Sequence, residues 1–194
     1  MELFTIVPRF KFGSNCYVIK NNDSWAVIDP SASIEEIKDK IPSLNSEPSF
    51  VLITHAHFDH IYSIDSYAKR AVPVYVGIDD ANSLNDPYYN CYRIFMDKEK
   101  GYNGSFKTLE EGDLIELSGI EIKVLETPGH TKGSVSFIIN ECAFVGDLLF
   151  EGGGYGRFDL PGGDRTTLFK SIEKFYKAFP HGIIYSGHGS PFSI

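Results

Sequence analysis

Thr54-His55-Ala56-His57-Phe58-Asp59-His60 follows directly on Phe50-Val51-Leu52-Ile53, and this junction decides how the rest of the chain is read. The apolar run predicts a buried strand over Phe50–Thr54. His55 and His57 are two positions apart, so on extended backbone their imidazoles face the same side. Asp59 and His60 fall where the strand must end and a helix through Ile61–Arg70 is expected. Adjacent residues on regular backbone diverge, which makes a single ion a poor match for all four donors. A bend at the strand end would give one pair to each of two ions. The cluster therefore predicts a two-metal site, and a catalytic one.

The whole chain narrows the setting. Its 194 residues, 42% of them apolar, fit one domain spanning 1–194 with a substantial core. Charge is 18 basic against 26 acidic, a net −8 without a basic run, so no nucleic-acid partner is expected. Cys16, Cys91 and Cys142 are scattered, which argues against a disulfide framework and for a reducing compartment. Neither a signal peptide nor an apolar run of roughly 18 residues is evident. The expectation is a cytoplasmic enzyme with a small-molecule substrate and no membrane contact. Oligomeric state is not legible.

Strands are predicted at Leu3–Val7, Cys16–Lys20 and Trp25–Ile28, the last two joined by the hairpin signal Asn21-Asn22-Asp23. Ser33 is set to cap a helix through Lys40. Pro73–Val76, Leu114–Leu117, Ile120–Leu125, Ser134–Ile139, Ala143–Val145 and Ile183–Tyr185 read as further strands. Residues 79–107 read as an irregular excursion that shapes access to a site. Asp164–Phe179 reads as a helix whose apolar face is Phe169, Ile172, Phe175, Tyr176 and Phe179. Strands in blocks with a few helices predict two sheets packed together with helices outside.

Three more metal-capable residues each follow a predicted strand and stand beside glycine or proline, which lets the backbone turn toward a shared pocket. They are His130 in Pro128-Gly129-His130-Thr131, Asp147 after Gly146, and His188 in Gly187-His188-Gly189. Taken singly, such residues are more often caps or solvated loop positions. His181 reads as a surface histidine, Lys98-Glu99-Lys100 as a solvated face, and Asp29 as bonded to its own turn. Gly152-Gly153-Gly154 lacks a following Gly-Lys-Ser/Thr and reads as a turn, not a phosphate cradle.

Together these residues resemble the metallo-β-lactamase superfamily, whose H-x-H-x-D-H motif is matched by His55-Ala56-His57-Phe58-Asp59-His60. His130, Asp147 and His188 match its later ligands in order, and Asp29 a further motif. The resemblance implies an αββα sandwich of two mixed β-sheets flanked by helices. It implies that His55, His57 and His130 hold one ion, that Asp59, His60 and His188 hold a second, and that Asp147 bridges them. Imidazole and carboxylate suit two divalent ions, with Zn²⁺ expected first and Fe or Mn as alternatives.

Within the superfamily the chain is most similar to the short glyoxalase II-like branch, through residues 127–134, Gly146-Asp147-Leu148-Leu149-Phe150 and residues 156–164. β-Lactamases are normally exported and commonly lack the bridging aspartate. Oxygen- or nitric oxide-reducing members usually carry glutamate at the position of His57, and RNA-processing members are much longer. With six residues after His188, the helical domain that helps larger glyoxalase II enzymes hold glutathione is not expected. Where those enzymes place a basic residue and a tyrosine, this chain has Arg157, expected to meet a substrate carboxylate, and Asp159.

The function implied is metal-assisted hydrolysis of a thioester such as an S-acylglutathione, or of a related small acyl compound, with Asp59 or Asp147 orienting the nucleophile. An alternative is a persulfide dioxygenase using one iron on His55, His130 and Asp147, the other donors supporting them. A non-enzymatic metal-binding module is the third reading. Tyr88, Tyr89, Tyr92 and Phe95 are expected either at the mouth of the site or in the core.

Overall fold

In the computed structural model, which describes residues 1–194, side-chain alternation along the strands sets the layering. The first sheet has the order β1 (Glu2–Ile6), β2 (Cys16–Asn21), β3 (Ser24–Ile28), β4 (Val51–Ile53), β5 (Val74–Gly77), β6 (Lys107–Leu109). β1 to β3 form an antiparallel meander, and β3 to β6 run parallel. Parallel neighbours need crossovers, and these carry α1 (Ile34–Lys40), α2 (Ile64–Ala68) and α3 (Tyr92–Met96).

A second meander follows: β7 (Leu114–Leu117), β8 (Ile120–Glu126), β9 (Val135–Ile139) and β10 (Cys142–Gly146). A short hairpin, β11 (Leu149–Phe150) with β12 (Gly154–Tyr155), and then α4 (Arg165–Ala178) lead into β13 (Ile183–Ser186). β13 pairs with β10 in parallel, and β14 (Phe192–Ser193) closes the edge.

Trp25 and Val27 of β3 pack with Ile34, Ile37 and Tyr67 beneath the helices, while Ala26 and Ile28 turn the other way to meet Phe137 and Phe144 of the second sheet. On the far side Ala143, Val145 and Ile184 pack on Leu168, Phe175 and Phe179. Helices, sheet, sheet and helix stack in that order, the αββα sandwich expected. No helix is long and apolar enough to cross a membrane.

Several local expectations differ from the structure. Residues 58–60 turn, and α2 begins only at Ile64. Ser63 N–H, inside the expected helix, donates to Pro30 O, and just before it Phe58 N–H donates to Asn90 O. The excursion over 79–107 contains α3 and ends in β6. Ser33 caps α1 as expected, accepting from Glu36 N–H at 3.2 Å. Asp164 does the same for α4 through Thr167 N–H at 2.7 Å. The buried face of α4 is Leu168, Ser171 and Phe175, whereas Phe169 and Tyr176 are both exposed. Phe169 instead packs edge-on to Tyr155, with the Arg165 guanidinium over its ring.

Candidate metal centre

The donors predicted from sequence converge where β4, β8, β10 and β13 end. His57 Nδ1 lies 2.8 Å from His130 Nε2, and His55 Nε2 lies 3.2 Å from the same atom. Across from them, His188 Nε2 is 3.0 Å and His60 Nε2 3.7 Å from Asp59 Oδ2. Asp147 stands between the groups. Its Oδ1 is 3.3 Å from His60 Nε2, and its Oδ2 is 3.6 Å from His130 Nε2 and 3.8 Å from His188 Nε2. His181 is exposed and apart from the cluster.

The far edges of the rings fix which nitrogen faces inward. His130 Nδ1–H donates to Arg157 O at 2.6 Å, because a carbonyl only accepts. His60 Nδ1–H donates to Asp29 Oδ2 at 2.8 Å. Thr54 Oγ–H donates to the same carboxylate oxygen at 2.8 Å, which leaves Thr54 Oγ to accept from His55 Nδ1–H at 3.2 Å. Nε2 of His55 and His130 therefore turns a lone pair inward, and His57 contributes Nδ1. Lone pairs this close repel unless a cation lies between them. Ligands about 2.0–2.1 Å from a tetrahedral zinc stand about 3.3 Å apart, close to these separations. His60 Nε2 and Asp147 Oδ1, buried and facing each other, have no hydrogen-bond partner. The donor set fits divalent metal ions.

Electrostatics agree with that fit. Burial and the neighbouring imidazoles push His55 well below its ordinary value and His57 down to about 3, keeping both neutral. Burial also opposes charge on His60, but Asp29, Asp59 and Asp147 outweigh it and hold the ring well above its usual range. Burial would raise Asp59 and Asp147 too, yet His60 and the other histidines draw both below the usual carboxylate range. The three acids therefore favour positive charge beside His60, which an ion bound there would supply.

Asp29 does not bond its own turn through its side chain, as expected from sequence. It is buried at a positive φ of 56° and reaches across to Thr54 N–H at 2.8 Å, to Thr54 Oγ and to His60. Asp80, unremarked in the sequence, accepts from Ala56 N–H, Thr131 Oγ–H and Gly133 N–H at 2.8–2.9 Å, tying the His55–His57 segment to the loop of His130. Its acceptor role could not be read from a lone Asp in an irregular stretch. Lys98 and Glu99 are exposed as expected, whereas Lys100 is half-buried: it donates to Tyr62 O and lies over the rings of Tyr62 and Tyr92.

A cavity of about 400 Å³ opens over the donors, walled by Phe12, Phe58, Phe95 and Leu160. Of the four aromatics weighed from sequence, Phe95 lines it, Tyr92 is core, and Tyr88 and Tyr89 are exposed. Arg157 reaches the cavity, and Asp159 takes one edge of its guanidinium, with bonds of 2.7 and 2.8 Å.

Two glycines let the backbone approach the ligands. Gly146, at φ 53°, leaves room for Thr54 and His55. A Cβ on Gly187 would collide with Asp147 Oδ1 and with the His60 ring. Gly187→Ala is expected to weaken binding at the Asp59–His60–His188 set by about ten- to a hundredfold, with His55, His57 and His130 unaffected. Metal titration followed by chelator competition checks this, and unchanged affinity for a second ion would refute it.

Such a sandwich, with paired ligand sets at one edge of its sheets, defines a metallo-hydrolase scaffold. The chain belongs to the metallo-beta-lactamase superfamily, whose profile matches residues 9–188. It is 33% identical to the probable metallo-hydrolase YqgX of Bacillus subtilis, over 94% of this chain and 88% of that protein. To the hydroxyacylglutathione hydrolase GloC of Haemophilus influenzae it is 31% identical, over 95% and 90%. Among solved structures, BLEG-1 B3 metallo-beta-lactamase superposes with a TM-score of 0.89 at 30% identity, covering 99% of this chain and 94% of that one. TTHA1623 in a di-iron-bound form gives 0.82 at 29%, covering 96% and 93%. Overall likeness therefore does not separate this chain from a B3 metallo-beta-lactamase.

Proposed function

We propose that the chain is a binuclear metallohydrolase of the glyoxalase II-like kind, cleaving a thioester such as an S-acylglutathione or a related small acyl compound. The position of Asp147 carries this reading, because its Oδ1 faces His60 while its Oδ2 lies between His130 of one ligand set and His188 of the other. His55, His57 and His130 would hold one ion, and Asp59, His60 and His188 the other, with Asp147 between them. The donors suit Zn²⁺ first, then Fe or Mn. Ions bound there would supply a nucleophile at neutral pH and positive charge opposite the oxyanion of the acyl carbonyl.

The chain's own groups do the rest. At the cavity floor Asp59 or Asp147 would orient the attacking group by accepting a hydrogen bond from it. Phe58, Phe95 and Leu160 offer an apolar wall against which the acyl group would lie. The Arg157 backbone carbonyl sets the His130 tautomer. Asp159 takes the Nε–Nη2 edge of Arg157, which leaves Nη1 to meet a substrate carboxylate. The activity named for the Haemophilus influenzae relative supports thioester chemistry.

The second reading is a persulfide dioxygenase with one iron on His55, His130 and Asp147, favoured by a resemblance to enzymes of that kind in Gly156-Arg157 followed by an acidic residue at 159. Elemental analysis of the purified protein, paired with two assays, separates them. Two ions per chain with thioester turnover are expected. One iron per chain with persulfide-dependent oxygen uptake would overturn the hydrolase.

A further inference from the structure

We propose that Asn15 is the positioning residue for the Asp59–His60–His188 set, holding His188 where it can share an ion with the other two. The proposal rests on the binuclear reading above. His188 needs such a device. Its side chain is 43% exposed, against 13% or less for Asp59, His60 and Asp147. It also stands between Gly187 and Gly189; Gly187 N–H, donating to Gly146 O at 2.7 Å, ties it on one side, and Gly189 is exposed on the other.

Asn15 supplies the device. Its backbone N–H donates to Gly187 O at 2.7 Å. Its carboxamide nitrogen reaches Ser186 O at 3.1 Å and Gly189 O at 2.9 Å, so one residue grips carbonyls on both sides of His188. The same nitrogen lies 3.2 Å from the Tyr17 hydroxyl, which itself donates to Ser186 O. Oxygens surround the nitrogen, which fixes the orientation of the amide.

Ser14 extends the grip to a second ligand. Its N–H and its hydroxyl both face Asp59 O, at 3.3 and 3.4 Å, while its own carbonyl accepts from Ser31 Oγ–H at 2.7 Å. Two consecutive residues thus hold the backbone of two members of one ligand set, and none of their hydrogen bonds goes to His55, His57 or His130. Lys11, Phe12 and Gly13, just before them, line the cavity, so the clamp continues directly into the cavity wall. A loop ordered in advance spares the ordering cost when an ion binds.

The test uses Asn15→Ala and Asn15→Asp, the second keeping the shape while removing both side-chain donors, with His188→Ala as reference. Each full-length protein is titrated with zinc against a chromophoric chelator, and separately with cobalt(II) followed by its visible spectrum. The first ion should bind as in the natural chain and the second about ten- to a hundredfold more weakly. Cobalt should then give the spectrum of the His55–His57–His130 set alone at concentrations that fill both sets in the natural chain. Unchanged affinity for both ions, or equal weakening of both, in either folded variant overturns the proposal; the second result would make Asn15 a general structural residue. A natural chain that takes one ion overturns the binuclear reading and this proposal with it, and that outcome is visible before any variant is made.

Discussion

Asp147→Ala is expected to lower thioester turnover by about a thousandfold or more, equivalent to about 4 kcal/mol of transition-state stabilisation. Among the donors, Asp147 is the carboxylate with one oxygen 3.3 Å from His60 and the other within 3.6–3.8 Å of His130 and His188. Alanine removes the link between the ligand sets and a negative charge that helps make two cations tolerable side by side. Metal content should fall toward one ion per chain, held by His55, His57 and His130. Asp147→Asn keeps the shape but loses the charge, so turnover should suffer nearly as much. Steady-state kinetics and elemental analysis on the same preparations decide the matter. Near-natural turnover in a metal-free Asp147→Ala protein would sink the hydrolytic mechanism.

Asp29→Ala is expected to cost about 3–5 kcal/mol of stability, the usual consequence of removing one partner from a buried charged network. For a chain of this length that corresponds to a fall in Tm of about 6–20 °C. Asp29 is fully buried and accepts from Thr54 N–H, Thr54 Oγ–H and His60 Nδ1–H. Its loss leaves the Thr54 N–H without its side-chain acceptor and puts alanine at φ 56°. An asparagine side chain would tolerate that backbone and still accept one bond, so Asp29→Asn should lose less stability while still freeing His60. Thermal unfolding of the metal-free proteins measures the first effect, and competition for the second ion measures the other. A Tm within about 2 °C of the natural chain for Asp29→Ala would show that the network carries little stability.

The layered architecture and the seven converging donors are legible in the sequence because both rest on local patterns. Alternation in Trp25–Ile28 or Ala143–Val145 assigns each side chain to one face of a sheet, and each donor follows such a strand by one to seven residues. What supports the donors is not legible, because it is made of contacts between residues far apart in the chain. Asn15 meets Gly189 and Asp29 meets Thr54 across long separations, and a lone Asn or Asp gives no local sign of a distant partner. Lys100 departs from its expected solvated place for the same reason, since Tyr62 beneath it comes from another segment. The two-residue strands β11, β12 and β14 are too short for any period to register. The helix expected at Ile61 fails where Pro30 and Asn90 compete for the backbone around it.

The topology is doubled, although no repeat survives in the sequence. β1–β2–β3, then α1 and the parallel β4, is matched by β8–β9–β10, then α4 and the parallel β13. Asp29 and Asp147 each come one residue after the third strand of their half, and His55 and His188 each come two residues after the fourth. Equivalent positions have diverged: one aspartate faces the donors themselves, and its counterpart buttresses a histidine from behind. Each ligand set also draws on both halves, His130 completing the pair His55 and His57, and His188 completing Asp59 and His60. Neither half alone holds a full set, so an ion here is a rivet across the seam between them. Chelation acts on the cohesion of the molecule as well as on its chemistry.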